Sequence, residues 1–329
     1  MRAIGLTLFF FCCFLEFQPV EARQLKQDVI FLKDEAPRRI FGGGEFTESP
    51  AVGPDGSVYF SDLTWESTER MEAGHIWRYD PETGTTKLFR SPSNMSNGIA
   101  FDRNGTMIIL EGELIGGGRI IAVDPVTLRG RVLAATYKGK PFNSPNDLDI
   151  DSRGHIYFTD PHYGDDANLP QPIMGVYRLD PDGSVVLIID SISMPNGIAV
   201  SPDQKTLHVG CFDEGREGVA GSNKMYVAAF DLNGDGTVAK MRIFVDYGQD
   251  DGPDGMTVDR AGNLFVAVRD KQSLGIHVYN SNGIPIDFCP LPEIPSNVAL
   301  ANERGKTVLY CTAGKSLYKL LLSPSVTPR

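Results

Sequence analysis

Apolar residues in this chain come in short runs, and the runs recur in pairs. Leu148 and Ile150 form one, Ser152-Arg153-Gly154 follows as a turn, and Ile156-Tyr157-Phe158 forms the next. Runs this short, bounded by turn formers, predict β-strands. The same phrase begins near Glu48, Asn97, Asn146, Asn196, Asp254 and Ser296-Asn297. Measured at Gly53, Asp102, Asp151, Ser201, Asp259 and Ala301, the steps are 49, 49, 50, 58 and 42 residues. Such a period marks a repeated supersecondary unit.

The strand after each turn reads Val58-Tyr59-Phe60, Met107-Ile108-Ile109, Ile156-Tyr157-Phe158, Leu207-His208-Val209, Leu264-Phe265-Val266 and Val308-Leu309-Tyr310. These runs do not alternate with polar residues, as expected of strands buried on both faces. A second set of segments follows: Ile76 to Tyr79, Ile120 to Val123, Val176 to Leu179, Met225 to Phe230, Ile276 to Tyr279 and Leu317 to Leu321. The expectation is an all-β chain, a six-bladed β-propeller with four-stranded blades. Residues 28–41 precede the first phrase and are expected to pair with the last blade and close the ring.

In a propeller the innermost strands line a central channel, so one register position in every blade forms a ring. Glu48, Asn97, Asn146, Asn196 and Asp254 stand five residues before their marks; Ser296 stands at five and Asn297 at four. Two carboxylates converging in a channel need compensation. With amide oxygens beside them they suit a hard divalent cation, Ca²⁺ above all, whereas zinc lacks its usual Cys and His ligands. Asn and Asp are also ordinary turn formers, but turn chemistry does not require the Glu of the first repeat.

Composition narrows the partners. The chain has 329 residues, 41% hydrophobic and 22% charged, with a net charge of −11. That acidity argues against a nucleic-acid surface and against an anionic membrane face. Residues 1–22 read as a secretory signal: Arg2, the apolar run Ile4 to Leu15, and Val20-Glu21-Ala22 at a cleavage point. The run is too short to span a bilayer. The expectation is an exported protein whose propeller domain covers 23–329. Two sequons, at Asn94 and Asn104, are candidate glycosylation sites on that route. Cys12 and Cys13 would leave with the signal. Cys211, Cys289 and Cys311 remain, permitting one disulfide or none.

Four motifs stand in order: Glu48-Ser49-Pro50, Ser144-Pro145-Asn146-Asp147, Pro195-Asn196-Gly197 and Pro253-Asp254-Gly255. On these, and on Asp160-Pro161-His162-Tyr163-Gly164, the chain resembles the senescence-marker/gluconolactonase/luciferin-regenerating (SMP-30/gluconolactonase/LRE) family of six-bladed propellers. The resemblance implies one divalent cation, commonly calcium, held by Glu48, Asn146, Asn196 and Asp254. It also implies a small-molecule ester or lactone as substrate. Ser49 replaces the family's Gly, and Ser144 stands where animal sugar-lactonase members carry a substrate-contacting Arg. Organophosphate- and aryl-lactone-hydrolysing relatives share the fold, which does not choose among them.

The expected reaction is metal-assisted hydrolysis of a cyclic ester, with Asp254 as base for the attacking water. Asn97, outside the four-ligand set, becomes a candidate substrate contact, as do Ser144 and His162 or Tyr163 at the mouth. Specificity is expected in loops 63–74, 112–118, 164–174 and 212–224. A different reading is a non-catalytic propeller that the ion only stiffens. Three patterns fall away. Asp231 to Gly236 lacks the Glu that ends an EF-hand loop, Gly314-Lys315-Ser316 lacks the first Gly of a P-loop, and no G-x-S-x-G elbow occurs.

Overall fold

The computed structural model describes residues 29–64, 74–112, 117–163, 169–215, 223–248 and 250–329. The expected secretory signal and the centres of the four loops expected to set specificity lie outside the described residues. Six four-stranded antiparallel sheets form the blades of a propeller, and no helix occurs among the described residues. The innermost strands of blades 1 to 6 are Thr47–Val52, Ser96–Phe101, Leu148–Ile150, Pro195–Val200, Pro253–Val258 and Pro295–Glu303. Blade 6 takes its outer strand, Arg38–Phe41, from the start of the domain, paired with Ser316–Leu321. The N-terminal segment thus closes the ring, as its position before the first repeat predicts.

The unbroken apolar runs now have their explanation. The core divides into six clusters, each filling one seam between neighbouring blades. At the seam of blades 2 and 3, Ile108 and Leu110 meet Leu148, Phe158 and Tyr177. A second strand has a seam on either side, so Val58-Tyr59-Phe60 and Leu264-Phe265-Val266 are buried throughout. Each such side chain contributes about 1.5–3 kcal/mol by leaving water.

One device aims side chains into the channel. The pairing of first and second strands slips at Glu48/Ala51, Ser96/Ile99, Pro195/Ile198, Pro253/Met256 and Pro295/Asn297. Each slip is a β-bulge, which leaves residues unpaired and re-aims them. The register position of the candidate ring is therefore a bulge in five blades. Glycine follows because the blades touch there. A Cβ on Gly197 would sit 2.2 Å from the Asp254 carbonyl oxygen, and one on Gly255 would sit 2.0 Å from the Asn297 side chain. Ser49 takes the same place in blade 1 with φ of 43°, a conformation that favours glycine.

Acids at the ends of second strands brace the loops leading into the ring. Asp62 Oδ1 accepts from the Glu45 and Phe46 amides, and its Oδ2 accepts from Trp77 Nε1. Asp160 accepts from the Asn143 and Ser144 amides at 2.9 and 2.8 Å, and burial pushes its carboxyl up to about 7. Asp231 and Leu232 end a strand and residues 233–236 form the hairpin turn that follows, with Gly236 N donating to the Asn233 carbonyl. Cys211, Cys289 and Cys311 are all free thiols and buried. His208 sits at the register of Tyr59 and Tyr157, edge-on to Phe244 at 4.8 Å.

Candidate metal centre and active site

At one mouth of the channel Glu48, Asn97, Asn196 and Asp254, at the bulges, and Asn146, just before the first strand of blade 3, line a single cavity of about 230 Å³. All four residues of the expected cage are buried, each no more than 6% exposed. Phe46, Leu63, Tyr163, Phe212, Glu214 and Arg269 complete the wall. A larger cavity of about 630 Å³ lies between blades 2 and 3 at the far ends of their strands, and none of the ring residues lines it.

The electrostatics of the floor are those of an anion pair short of compensation. Burial, then the charges of Asp254 and Asp147, hold the Glu48 carboxyl well above the usual range. Asp254 is pushed up to about 6 by burial, against the lowering effect of Arg269. Arg269 is the one cation in the described lining, its Nη1 3.2 Å from Asp254 Oδ2. Two carboxylates with one guanidinium leave room for a further positive charge, and every other donor on the floor is a hard amide oxygen. That donor set fits Ca²⁺ and similar ions. Among the described residues no three His, Cys, Asp or Glu side chains gather into a metal cluster; here two of the four donors are amides.

The neighbouring bonds orient the ring. Nδ2 of Asn196 and of Asn146 donate to the Tyr163 hydroxyl oxygen at 2.9 and 3.5 Å. Glu48 Oε2 accepts from the Ser49 amide at 3.0 Å. The Ser49 hydroxyl donates to Asn97 Oδ1 at 3.2 Å and accepts from Asn297 Nδ2 at 3.3 Å. The sixth ring member thus acquires a place: Asn297 sits deeper in the channel and ties blade 6 to blades 1 and 2. Its neighbour Ser296 donates to the Thr47 carbonyl at 2.7 Å.

Not every sequence candidate reaches the cavity. Ser144 is buried beside it, its amide held by Asp160, and is not part of the described wall. His162 is half-buried and also outside that wall, whereas Tyr163 is in it. Asn94 donates through Nδ2 to buried Glu111 at 3.0 Å, while Asn104 is exposed in its turn.

Leu63 and Phe212 open two of the loops expected to set specificity, whereas Arg269 was absent from the sequence candidates, yet a register signal existed for all three. The residues just before Glu48, Asn196 and Asp254 pair with Asp62, Cys211 and Val268. Leu63, Phe212 and Arg269 each follow that partner by one residue. In blades 1, 4 and 5 this register of the second strand thus supplies a second set of wall residues.

Comparisons with known proteins agree with this geometry. Residues 113–315 match the SMP-30/Gluconolactonase/LRE-like region. A gluconolactonase of Zymomonas mobilis is 34% identical over 243 residues, which are 70% of this chain and 64% of the relative. The lactonase drp35 of Staphylococcus epidermidis is 29% identical over 233 residues, 67% of this chain and 64% of its own length. The match therefore spans less than two thirds of either relative. A solved gluconolactonase from Xanthomonas campestris superposes with a TM-score of 0.74 at 28% identity, covering 89% of this chain and 91% of that one. With most of its propeller matched by the family model and the ring residues gathered in one cavity, the chain belongs to the SMP-30/gluconolactonase/LRE-like family.

Proposed function

We propose that this protein is a metal-dependent lactonase that opens a cyclic ester at the channel mouth. The observation that carries the reading is the convergence of Glu48, Asn146, Asn196 and Asp254 in one buried cavity. The lactonase and gluconolactonase relatives support it. Those four residues would hold one divalent cation, and calcium suits their oxygens. Bound there, the ion supplies Lewis-acid polarisation of an ester carbonyl.

The chain's own residues do the rest. Asp254 accepts a proton from the attacking water as the oxygen adds to the acyl carbon. When the ring C–O bond breaks, the same proton passes to the departing ring oxygen, giving a hydroxy acid. Asn97, fixed by Ser49, offers its amide to the substrate. Phe46, Leu63 and Phe212 form an apolar collar that limits water around the ester. The leader segment and the sequons support export as part of the same proposal.

The test is a panel of γ- and δ-lactones, sugar lactones, aryl esters and an aryl phosphotriester, with acid release followed by a pH indicator. Lactone turnover well above the others supports the proposal. Turnover of the phosphotriester alone assigns the site to organophosphate hydrolysis. A folded, calcium-loaded protein inert to the whole panel is a binding propeller.

A further inference from the structure

Arg269 has no role in the reading above, and its surroundings give it one. It stands just past the second strand of blade 5, Leu264–Val268, with its amide bonded to the Gly252 carbonyl. Its guanidinium is held on two sides. Nη1 donates to Asp254 Oδ2 at 3.2 Å, and the plane lies over the Phe212 ring, 4.8 Å from its centroid. Phe212 belongs to blade 4, so the contact spans the blade 4–5 seam that also brings Asn196 against Asp254. Nε is buried and has no hydrogen-bond partner among the described residues. A buried guanidinium with a donor left unbonded is held for its charge and its fork, not for full satisfaction.

We propose that Arg269 is the positioning residue of the site, a deepening that rests on the lactonase reading. By engaging Asp254 Oδ2 it divides the carboxylate's labour: Oδ1 is left for the cation, and Oδ2 is fixed in direction for the proton. Its charge also sets the balance of the cavity floor. Glu48, Asp254, Glu214 and Arg269 sum to −2, so a divalent ion brings the lining to neutrality; without Arg269 it would stay negative and oppose the charge that develops on the ester oxygen. Phe212 keeps the guanidinium in place through its face.

Charge and fork separate by substitution. Arg269→Lys keeps the charge and loses the planar fork; Arg269→Met loses both. Calcium dissociation constants by calorimetry and lactone kcat are measured for the wild type and both variants, with thermal melts to confirm folding. Removing a cation beside the site tightens calcium, so Arg269→Met is expected to bind it about ten-fold more tightly, and Arg269→Lys about as the wild type does. Both variants are expected to lose kcat about ten- to a hundred-fold, because the base oxygen is no longer aimed. A residue that merely props the fold would weaken calcium and turnover together, and that result overturns the proposal. So does wild-type kcat in Arg269→Lys. If the wild-type protein hydrolyses no lactone, the lactonase reading falls by itself. Calcium then judges Arg269: tighter binding in the Met variant alone supports its role, and equal affinities in all three overturn it.

Discussion

Asn196 Nδ2 donates to the hydroxyl oxygen of Tyr163 at 2.9 Å, across the seam between blades 3 and 4. An amide that commits its nitrogen on one side turns its oxygen to the other, so Tyr163 orients a ligand it does not replace. Asn146 leans on the same hydroxyl at 3.5 Å. Tyr163→Phe should therefore weaken calcium about ten-fold, in the range of lost ligand-orienting partners. Because Tyr163 is 41% exposed, the melting temperature of the metal-free protein should stay where it was. Calorimetric titration beside a thermal melt checks both.

Gly197 holds no ligand, yet its bare Cα is what lets the Asp254 backbone approach. Gly197→Ala places a methyl 2.2 Å from the Asp254 carbonyl oxygen. Overpacking of this kind costs about 1–3 kcal/mol. The variant should lose calcium affinity at least about ten-fold, as a displaced ligand implies. Gly234→Ala, whose nearest neighbour is the end of Arg153 at 3.6 Å, should change neither quantity.

His208 opposes folding in acid. Burial, then the Arg242 charge, lowers its pKa to about 4, so the folded protein keeps it neutral. A group depressed in the fold contributes fully above its unfolded value and loses that contribution as pH falls. The contribution of His208 alone should therefore drop by about 3 kcal/mol from about pH 6.5 to about pH 4. Asp160, raised to about 7, works in the opposite sense, gaining stability as pH falls from about 7 to about 4. Urea titrations of His208→Phe across that window should show the rise of Asp160 without the loss from His208.

The two sequons differ in the fold. Asn94 is half-buried with φ of 56°, and its amide nitrogen serves Glu111. Asn104 is exposed in a turn, its backbone amide donating to Asp102 at 2.9 Å and its side-chain nitrogen at a long 3.4 Å. Material secreted from a glycosylating host should carry its glycan at Asn104, with peptide 94 unmodified in a mass map.

Much of this was legible because propellers repeat their physics. Second strands such as Ile156-Tyr157-Phe158 have a seam on both sides, and that shows as unbroken apolar runs. The ring residues recur because five of the six blades carry a bulge at that register, and Asn-Gly or Asp-Gly marks where the next blade presses in. Leu63 and Phe212 were included only as the first residues of two expected specificity loops, and Arg269 escaped notice, because their register shares no residue type: a cation, an aromatic and an aliphatic occupy equivalent positions. Ser144 and His162 drew attention from their motifs, but the loop turns Tyr163 to the wall instead. Asn297, one step out of register, becomes intelligible only when Ser49 is seen to bridge it to Asn97.

The central claim is that one cation, held by Glu48, Asn146, Asn196 and Asp254, serves lactone hydrolysis. Calcium is titrated into chelator-stripped protein while hydrolysis of a δ-lactone is followed in the same sample. The account predicts no turnover without the ion, a rise that tracks occupancy of a single site, and no response in Glu48→Gln. Turnover at full rate in the stripped protein, or a calcium response preserved in Glu48→Gln, would contradict it.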